Sequence, residues 1–238
     1  MSTQLDPLSI SADLLYEVKT GGDVAALREH LATLERDRLS RALSSRRGRL
    51  AFWLNCYNAY AQLLLEAEPS LLEGGLLDRF KFFARDRIPI GGVWLSLADI
   101  EHGMLRGSKH PWGLGYLPRP FPSSFEREFR LESTDPRIHF ALGCGSEFGP
   151  PTTVYSPADC DEDLDVATEW YVEENVSYDP GREIATVPRL FLWYRGDFRG
   201  DGGVVGFLRE YEAIPPGATP SLEYDATDRS VDVHDYRL

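Results

Sequence analysis

A histidine and a cysteine stand five residues apart in the stretch from Asp135 to Pro151, DPRIHFALGCGSEFGPP. A thiol becomes a strong nucleophile when a nearby base takes its proton and a polar group orients that base. Hydrogen-bond donors must also face the oxyanion that develops during acyl transfer. Cys144 can supply the sulfur, His139 the base, and the glycine-rich turn the backbone donors. The stretch therefore predicts a thiol site for hydrolysis or acyl transfer.

Three further polar residues are candidates for the same site. His102 is a second possible base, and either Asn58 or Glu101 is of the right type to orient an imidazole. Such a set would be papain-like by role, although the order along the chain differs from that of papain.

Each candidate also has a purely structural explanation. Free cysteines are among the most buried residues, so Cys144 is as well explained by core packing as by catalysis. A histidine can simply bond a backbone carbonyl, and Asn55 and Asn58, three apart in an apolar segment, must find partners wherever they lie. The alternative hypothesis is therefore a protein without catalytic activity.

Composition narrows the classes of partner. The chain has 238 residues, a formal charge of −13 and only three lysines. A basic face is needed to bind phosphate backbones, so we expect no nucleic-acid partner, whereas a small molecule, a peptide or a protein remains open. Acidic surplus with scarce lysine also suits a halophilic source, although a high-GC genome would give the same preference for arginine. A stability maximum at low ionic strength would contradict the halophilic hypothesis. The oligomeric state is left open.

The cysteines and histidines do not form a recognisable metal motif. The three cysteines are scattered, and the chain has no H-x-x-x-H or C-x-x-C spacing, so we expect no metal and no cofactor. Free thiols suit a reducing cytoplasm. The N-terminus lacks the pattern of a secretory leader, and no apolar run is long enough to span a bilayer. We therefore expect a cytoplasmic protein without membrane contact.

The segments that must position these residues have clear patterns. A nearly all-apolar run predicts a buried helix over Arg49 to Ala67. Two short apolar runs around Gly91-Gly92 predict a hairpin between Arg87 and Leu95. Ser96 and Asp99 form a capping box, which predicts a helix through His102. Alternating apolar residues predict a strand over Arg137 to Leu142, with His139 on the face opposite the larger apolar side chains.

The rest of the chain indicates an α+β fold. Further patterns predict a helix after Ser156 and a strand over Glu183 to Val187, without repeated strand-helix-strand units. We expect a helical N-terminal part packed on a small mixed or antiparallel sheet, in one domain over residues 1–238. Its core is expected over about 30–210, followed by a polar tail over about 215–238 in which Val231, Val233 and Tyr236 could form an edge strand.

Several spaced motifs resemble one family. They occur in the same order as in the domain of unknown function 547 family: LAFWLNCYNAY, GGVWLSLADIEHGMLRG, DPRIHFALGCG, PPTTVYSPADCDEDLD and VPRLFLWYRGDF. The resemblance covers roughly residues 30–210. It implies no settled activity. The family occurs alone in prokaryotes and attached to coiled-coil-like segments in plants.

The chain departs from the family pattern around Cys144. Gly143 stands where the family usually has an asparagine, and Gly149 where it usually has a second cysteine. These departures argue against a two-cysteine mechanism. They also motivate the alternative that the protein is a degenerate enzyme or a non-catalytic protein-interaction module.

Overall fold

The computed structural model describes residues 6–69, 76–143 and 153–225. The fold is α+β, as predicted. Ten α-helices occur in these residues: α1 Pro7–Thr20, α2 Ala25–Ala32, α3 Arg36–Ala42, α4 Arg46–Ala67, α5 Leu76–Ala84, α6 Ser124–Phe129, α7 Ile138–Ala141, α8 Cys160–Asn175, α9 Leu190–Trp193 and α10 Asp201–Glu210. A π-helix spans Asp99–Leu105, and the strands are β1 Ile88–Ile90, β2 Val93–Leu95, β3 Ser177–Asp179, β4 Ile184–Pro188 and β5 Ser221–Asp225.

Helix α4 is the centre of the N-terminal half. Ser45 caps it by accepting a hydrogen bond from the Gly48 N–H at 3.0 Å, which satisfies one of the free donors of the first turn. All residues from Leu50 to Ala61 are buried, and α1, the π-helix and α8 pack around the helix. Because α4 is covered on every side, its sequence is apolar nearly all round, and the predicted helix is confirmed with three more residues at its start.

The strands form two separate small sheets. β1 and β2 are the predicted hairpin, joined by Gly91 and Gly92 with φ of 59° and 77°, the left-handed values that a tight two-residue turn needs. The second sheet has the order β3-β4-β5, with β3 antiparallel and β5 parallel to β4. The expected small sheet is thus mixed. The edge strand expected around Val233 lies outside the described residues.

The helix predicted after the Ser96–Asp99 capping box is present, but it is a π-helix. The box itself forms as predicted, since the Asp99 N–H donates to the Ser96 hydroxyl and the Ser96 N–H donates to the Asp99 carboxylate, both at 3.0 Å. Hydrogen bonds then span five residues, as from the Arg106 N–H to the Glu101 carbonyl at 2.9 Å. π-Helical turns are rare in proteins, and those that occur are often found at functional sites.

The strand predicted over Arg137 to Leu142 is wrong, because this segment forms helix α7. Asp135 starts the turn by accepting from the Arg137 N–H at 3.1 Å, and the Leu142 N–H donates to the Ile138 carbonyl. All four residues of α7 are buried. When both faces of a short segment are buried, alternating apolar residues do not distinguish a strand from a helix.

Two apolar clusters make up the core of the described chain. The first surrounds α4 and includes Ile138, while the second is rich in aromatic rings and includes Phe140. Helix α7 therefore joins the two clusters, and His139 lies between these two residues in the chain. None of the helices in the described ranges is long and apolar enough to cross a membrane.

Candidate functional site

A cluster of buried polar side chains lies where the two apolar clusters meet. The π-helix and the residue that follows it supply three members, α7 one, and the segment after β4 two. We call this set the polar cluster; it consists of Glu101, His102, Arg106, His139, Tyr194 and Asp197, none more than 8 % exposed. Buried charges are costly unless they are paired, so the contacts within the cluster are its defining feature.

Asp197 joins His139 to Arg106. The His139 Nε2 lies 2.9 Å from Asp197 Oδ2, and the Arg106 Nε donates to the same oxygen at 2.7 Å. Since an ionised carboxylate only accepts, Nε2 carries the ring proton of His139 in this contact. The His139 ring also stacks on Tyr194, with ring centroids 3.8 Å apart. His139 is thus held in orientation by a carboxylate and by an aromatic face.

Arg106 extends the network to the second histidine. Its Nη1 lies 2.9 Å from Nδ1 of His102, and its guanidinium carbon lies 4.6 Å above the Tyr194 ring. A guanidinium only donates, so the His102 Nδ1 accepts. Glu101 Oε1 accepts from the Tyr194 hydroxyl at 2.5 Å and lies 3.3 Å from the same His102 nitrogen. The two histidines are therefore linked through one arginine and one aspartate.

The electrostatics of the cluster favour a neutral His139 beside an ionised Asp197. Burial lowers the pKa of His139, and the neighbouring Asp197 only partly offsets this effect. For Asp197, burial alone would raise the pKa, but the hydrogen bond from His139 and the hydrogen bond and charge of Arg106 together outweigh it and lower the pKa. A neutral imidazole held by a carboxylate is the state in which histidine acts as a base.

The Asn58 side chain hydrogen-bonds the backbone that leads to Cys144. Its amide nitrogen donates to the Ala141 carbonyl at 3.0 Å, and its oxygen accepts from the Gly143 N–H at 2.9 Å. Among the described residues it therefore holds the chain that leaves α7. Cys144 itself lies outside the described residues.

Asn55 makes a matching contact one turn earlier on α4. Its side chain donates to the Tyr155 carbonyl and accepts from the Tyr155 N–H, both at 2.9 Å. The two amides, three residues apart on a buried helix, thus hold the described chain on both sides of residues 144–152. Buried amides are expected to be satisfied, and these are satisfied by backbone groups far away in sequence.

Two clefts reach the polar cluster from different sides. One, of about 700 Å³, has Asp197 in its lining together with Arg137, Phe198, Phe207 and Tyr211. The other, of about 240 Å³, has His102 in its lining. The polar cluster is therefore buried, but each cleft reaches one of its residues.

Of the residues selected from sequence, Glu101, His102 and His139 belong to the polar cluster. Asn58 binds the backbone after α7, the helix that carries His139. The candidate set selected from sequence did not include Arg106, Tyr194 or Asp197. Each lies in a motif that carried the family resemblance, and a charged residue within such an apolar motif is the signal that could have found Arg106 and Asp197. Within the three described ranges, no group of three or more histidine, cysteine, aspartate or glutamate side chains is arranged to hold a metal ion.

Fold and site define an α+β protein with a buried histidine–aspartate–arginine network. The family model described as "Protein of unknown function, DUF547" matches residues 41–172, more than half of the chain, and the chain belongs to this family. The matched region includes the π-helix and α7 but ends before Tyr194 and Asp197. No curated protein and no solved structure matched the chain.

Proposed function

We propose that the protein is a thiol-dependent hydrolase or acyl-transfer enzyme, with Cys144 as the nucleophile and His139 as its base. The observation that carries the proposal is the 2.9 Å contact between His139 Nε2 and Asp197 Oδ2 in a buried setting. A carboxylate that fixes one ring nitrogen leaves the other, Nδ1, as the acceptor for a thiol proton. Asn58 supports the proposal because it holds Gly143, the residue that directly precedes Cys144.

The proposed reaction has two steps. The Cys144 proton passes to His139, and the thiolate attacks the substrate carbonyl to form a thioester while the leaving group takes the proton from His139. Water or another acceptor, deprotonated by His139, then attacks the thioester and releases the free thiol. Asp197 is the positioning residue, because it stabilises the imidazolium between these transfers.

His102 is the second candidate base. Its Nδ1 already accepts a hydrogen bond from Arg106, which disfavours protonation of that nitrogen. We therefore assign the role of base to His139, and to His102 and Glu101 the role of holding Arg106 and Tyr194 in place.

We also assign the protein to the cytoplasm, supported by Cys56 and Cys160, which are free thiols.

A non-catalytic interaction module is the competing proposal. It is favoured by large apolar side chains that the loop between Lys109 and Pro122 leaves exposed, among them Trp112 at 63 % and Phe121 at 99 %. Contiguous exposed apolar surface commonly marks a partner site. The glycines at positions 143 and 149 favour the same alternative.

The proposed function is tested by the rate of iodoacetamide labelling against pH. Cys56 and Cys160 are internal controls, because both are fully buried and burial raises the pKa of both thiols, that of Cys160 to about 12. Labelling of the native protein therefore reports Cys144, with Cys144→Ser as the blank. We expect a labelling midpoint at least about one pH unit below the ordinary thiol value near 8.5.

Histidine variants identify the base. We expect His139→Gln to return the labelling profile to that of an ordinary thiol, and His102→Gln to shift it less, with near-UV circular dichroism to confirm that each variant is folded. An ordinary profile in the unmodified protein, or a His139→Gln profile that does not move, would contradict the proposed function.

A further inference from the structure

The smaller cleft has the composition of a binding pocket for an apolar group. Its walls include Phe83, Ala84, Ala98, Pro111 and Trp112, with Ser96, Asp99, Arg119, Asp86 and His102 as the polar members. Ligand pockets are typically lined by apolar side chains with a few placed polar groups. Its volume of about 240 Å³ is below the range of roughly 300–1,000 Å³ usual for a whole ligand, so it fits one group of a larger molecule.

Most polar members of this cleft are already engaged. Arg119 pairs with Asp99 at 2.7 Å, and the Ser96 hydroxyl donates to the same carboxylate at 2.7 Å. An anionic ligand would have to compete with Asp99 for Arg119. A ligand would therefore contact mainly the apolar side chains of the cleft, and such contacts favour an uncharged apolar group.

Trp112 is the exposed part of that wall. Its side chain is 63 % exposed although it lines the cleft, and its backbone N–H donates to Nδ1 of His110 at 3.2 Å. The loop that carries it is closed by the His110 N–H, which donates to the Leu117 carbonyl at 2.8 Å. A tryptophan held in place beside an apolar hollow gains favourable contact when a ligand covers its ring.

We propose that this cleft binds a neutral apolar group of the substrate, with Trp112 packed against it. The inference rests on the proposed function, because His102 lines the cleft and belongs to the polar cluster. It assigns the substrate class: an acyl compound or peptide that carries an aromatic or aliphatic group. An anionic group at this position is disfavoured, because Arg119 is already paired with Asp99 and Asp86 adds a further negative charge to the lining.

Ligand-observed fluorine NMR on the whole chain tests this assignment. The probes are 4-fluorobenzyl alcohol for an aromatic group, 6-fluorohexanol for an aliphatic group, and 4-fluorobenzoate as the charged control. We expect at least one neutral probe to bind and the benzoate not to bind. The stronger of the two neutral probes identifies which apolar chemistry the cleft prefers.

Two tryptophans provide a matched pair of variants. Trp112 and Trp94 are 63 % and 64 % exposed, but only Trp112 lines the cleft. We expect Trp112→Ala to weaken binding by about fivefold, from the loss of aromatic packing, and Trp94→Ala to leave it within about twofold. Ala98→Leu, which fills the cleft, should also weaken binding.

The outcome is separable from that of the thiol proposal. Cys144→Ser should bind the neutral probe as the unmodified protein does, whatever the labelling profile of Cys144. No binding of either neutral probe, equal binding of the benzoate, or equal losses in Trp112→Ala and Trp94→Ala would overturn the assignment. None of these results would alter the labelling profile that tests the thiol.

Discussion

At the scale of single residues, Asp197 is the side chain that joins His139 to the rest of the polar cluster. One of its oxygens accepts from both His139 and Arg106, and its side chain is fully buried. A buried carboxylate with two cationic or donor partners is ionised because the alternative would leave the Arg106 charge alone in the core. The state of the His139 imidazole therefore depends on a residue 58 positions away in the chain.

We expect Asp197→Asn to lower the free energy of unfolding by about 3 kcal/mol or more, because it leaves the Arg106 guanidinium buried without its counter-ion. Urea unfolding at neutral pH measures this. Glu128→Gln is the control, because Glu128 pairs with Arg36 at the surface, where both side chains are at least one-third exposed. This substitution should cost less than about 1 kcal/mol. Equal losses in the two variants would show that Asp197 is not the counter-ion that stabilises Arg106.

At the scale of elements, two loops meet at the site through glycine. Gly115, at φ of 82°, packs so closely on the Asp197 turn that a Cβ on it would lie 2.6 Å from the Asp197 backbone nitrogen. The Gly196 N–H donates to the Leu114 carbonyl at 2.8 Å across the same contact. The loop that carries Trp112 is thereby joined to the turn that carries Asp197.

Gly115→Ala and Gly92→Ala separate close packing from backbone conformation. Both glycines have positive φ, but a Cβ on Gly92 would meet nothing within 4 Å. We expect Gly92→Ala to cost about 1 kcal/mol from conformation alone. Gly115→Ala should cost at least about 1 kcal/mol more, because the Asp197 turn must move away. Unfolding curves that coincide for the two variants would mean that the two loops are not in close contact.

At the scale of the whole molecule, the shifted pKa values of several aspartates make the free energy of unfolding depend on pH. Burial would raise the pKa of Asp135 and Asp161, but hydrogen bonds and charges from arginines outweigh it and lower both. For Asp197, His139 and Arg106 have the same effect. Asp163, whose pKa is raised by burial and by neighbouring carboxylates, offsets part of this effect. The unfolded chain therefore binds more protons than the folded chain as the pH falls through about 4, and stability is lost there.

His139 adds a second, milder loss above that range. Because its pKa is lowered in the fold, the unfolded chain takes up this proton first as the pH falls below about 6.5, which favours unfolding. Asp197, Arg106 and Glu101 are the charged groups that contribute to this pKa. We expect urea midpoints to fall from pH 7 to pH 5, and to fall less steeply in His139→Gln. His30→Gln, which removes an exposed imidazole on α2, should leave the change in urea midpoint between pH 7 and pH 5 as it is in the unmodified protein. The prediction would be contradicted if His139→Gln showed the same change as the unmodified protein.

Two expectations at this scale remain predictions. A charge of −13 with three lysines still suggests tolerance of concentrated salt, and one domain is still the organisation expected from the length. The first would show as a free energy of unfolding that rises with potassium chloride. The papain-like arrangement likewise remains a prediction, since it depends on Cys144.

The sequence by itself determined the features that depend on neighbouring residues. The all-apolar run specified α4, two glycines specified the β1–β2 turn, and Ser96 with Asp99 specified where the next helix begins. The ordered motifs specified the family. Each of these signals acts over a few residues, where backbone preference and side-chain period decide the outcome.

Only the tertiary structure decided which polar residues meet. Arg106 and Asp197 are 91 residues apart, and Asn55 binds a backbone that lies 100 residues away. Nothing local requires these pairs, since each polar group is satisfied only when the two apolar clusters pack and exclude water from it. The same packing buries both sides of α7, so its apolar pattern did not distinguish a helix from a strand. The sequence could therefore name His139 as a candidate site residue, whereas the fold supplied the carboxylate that orients it.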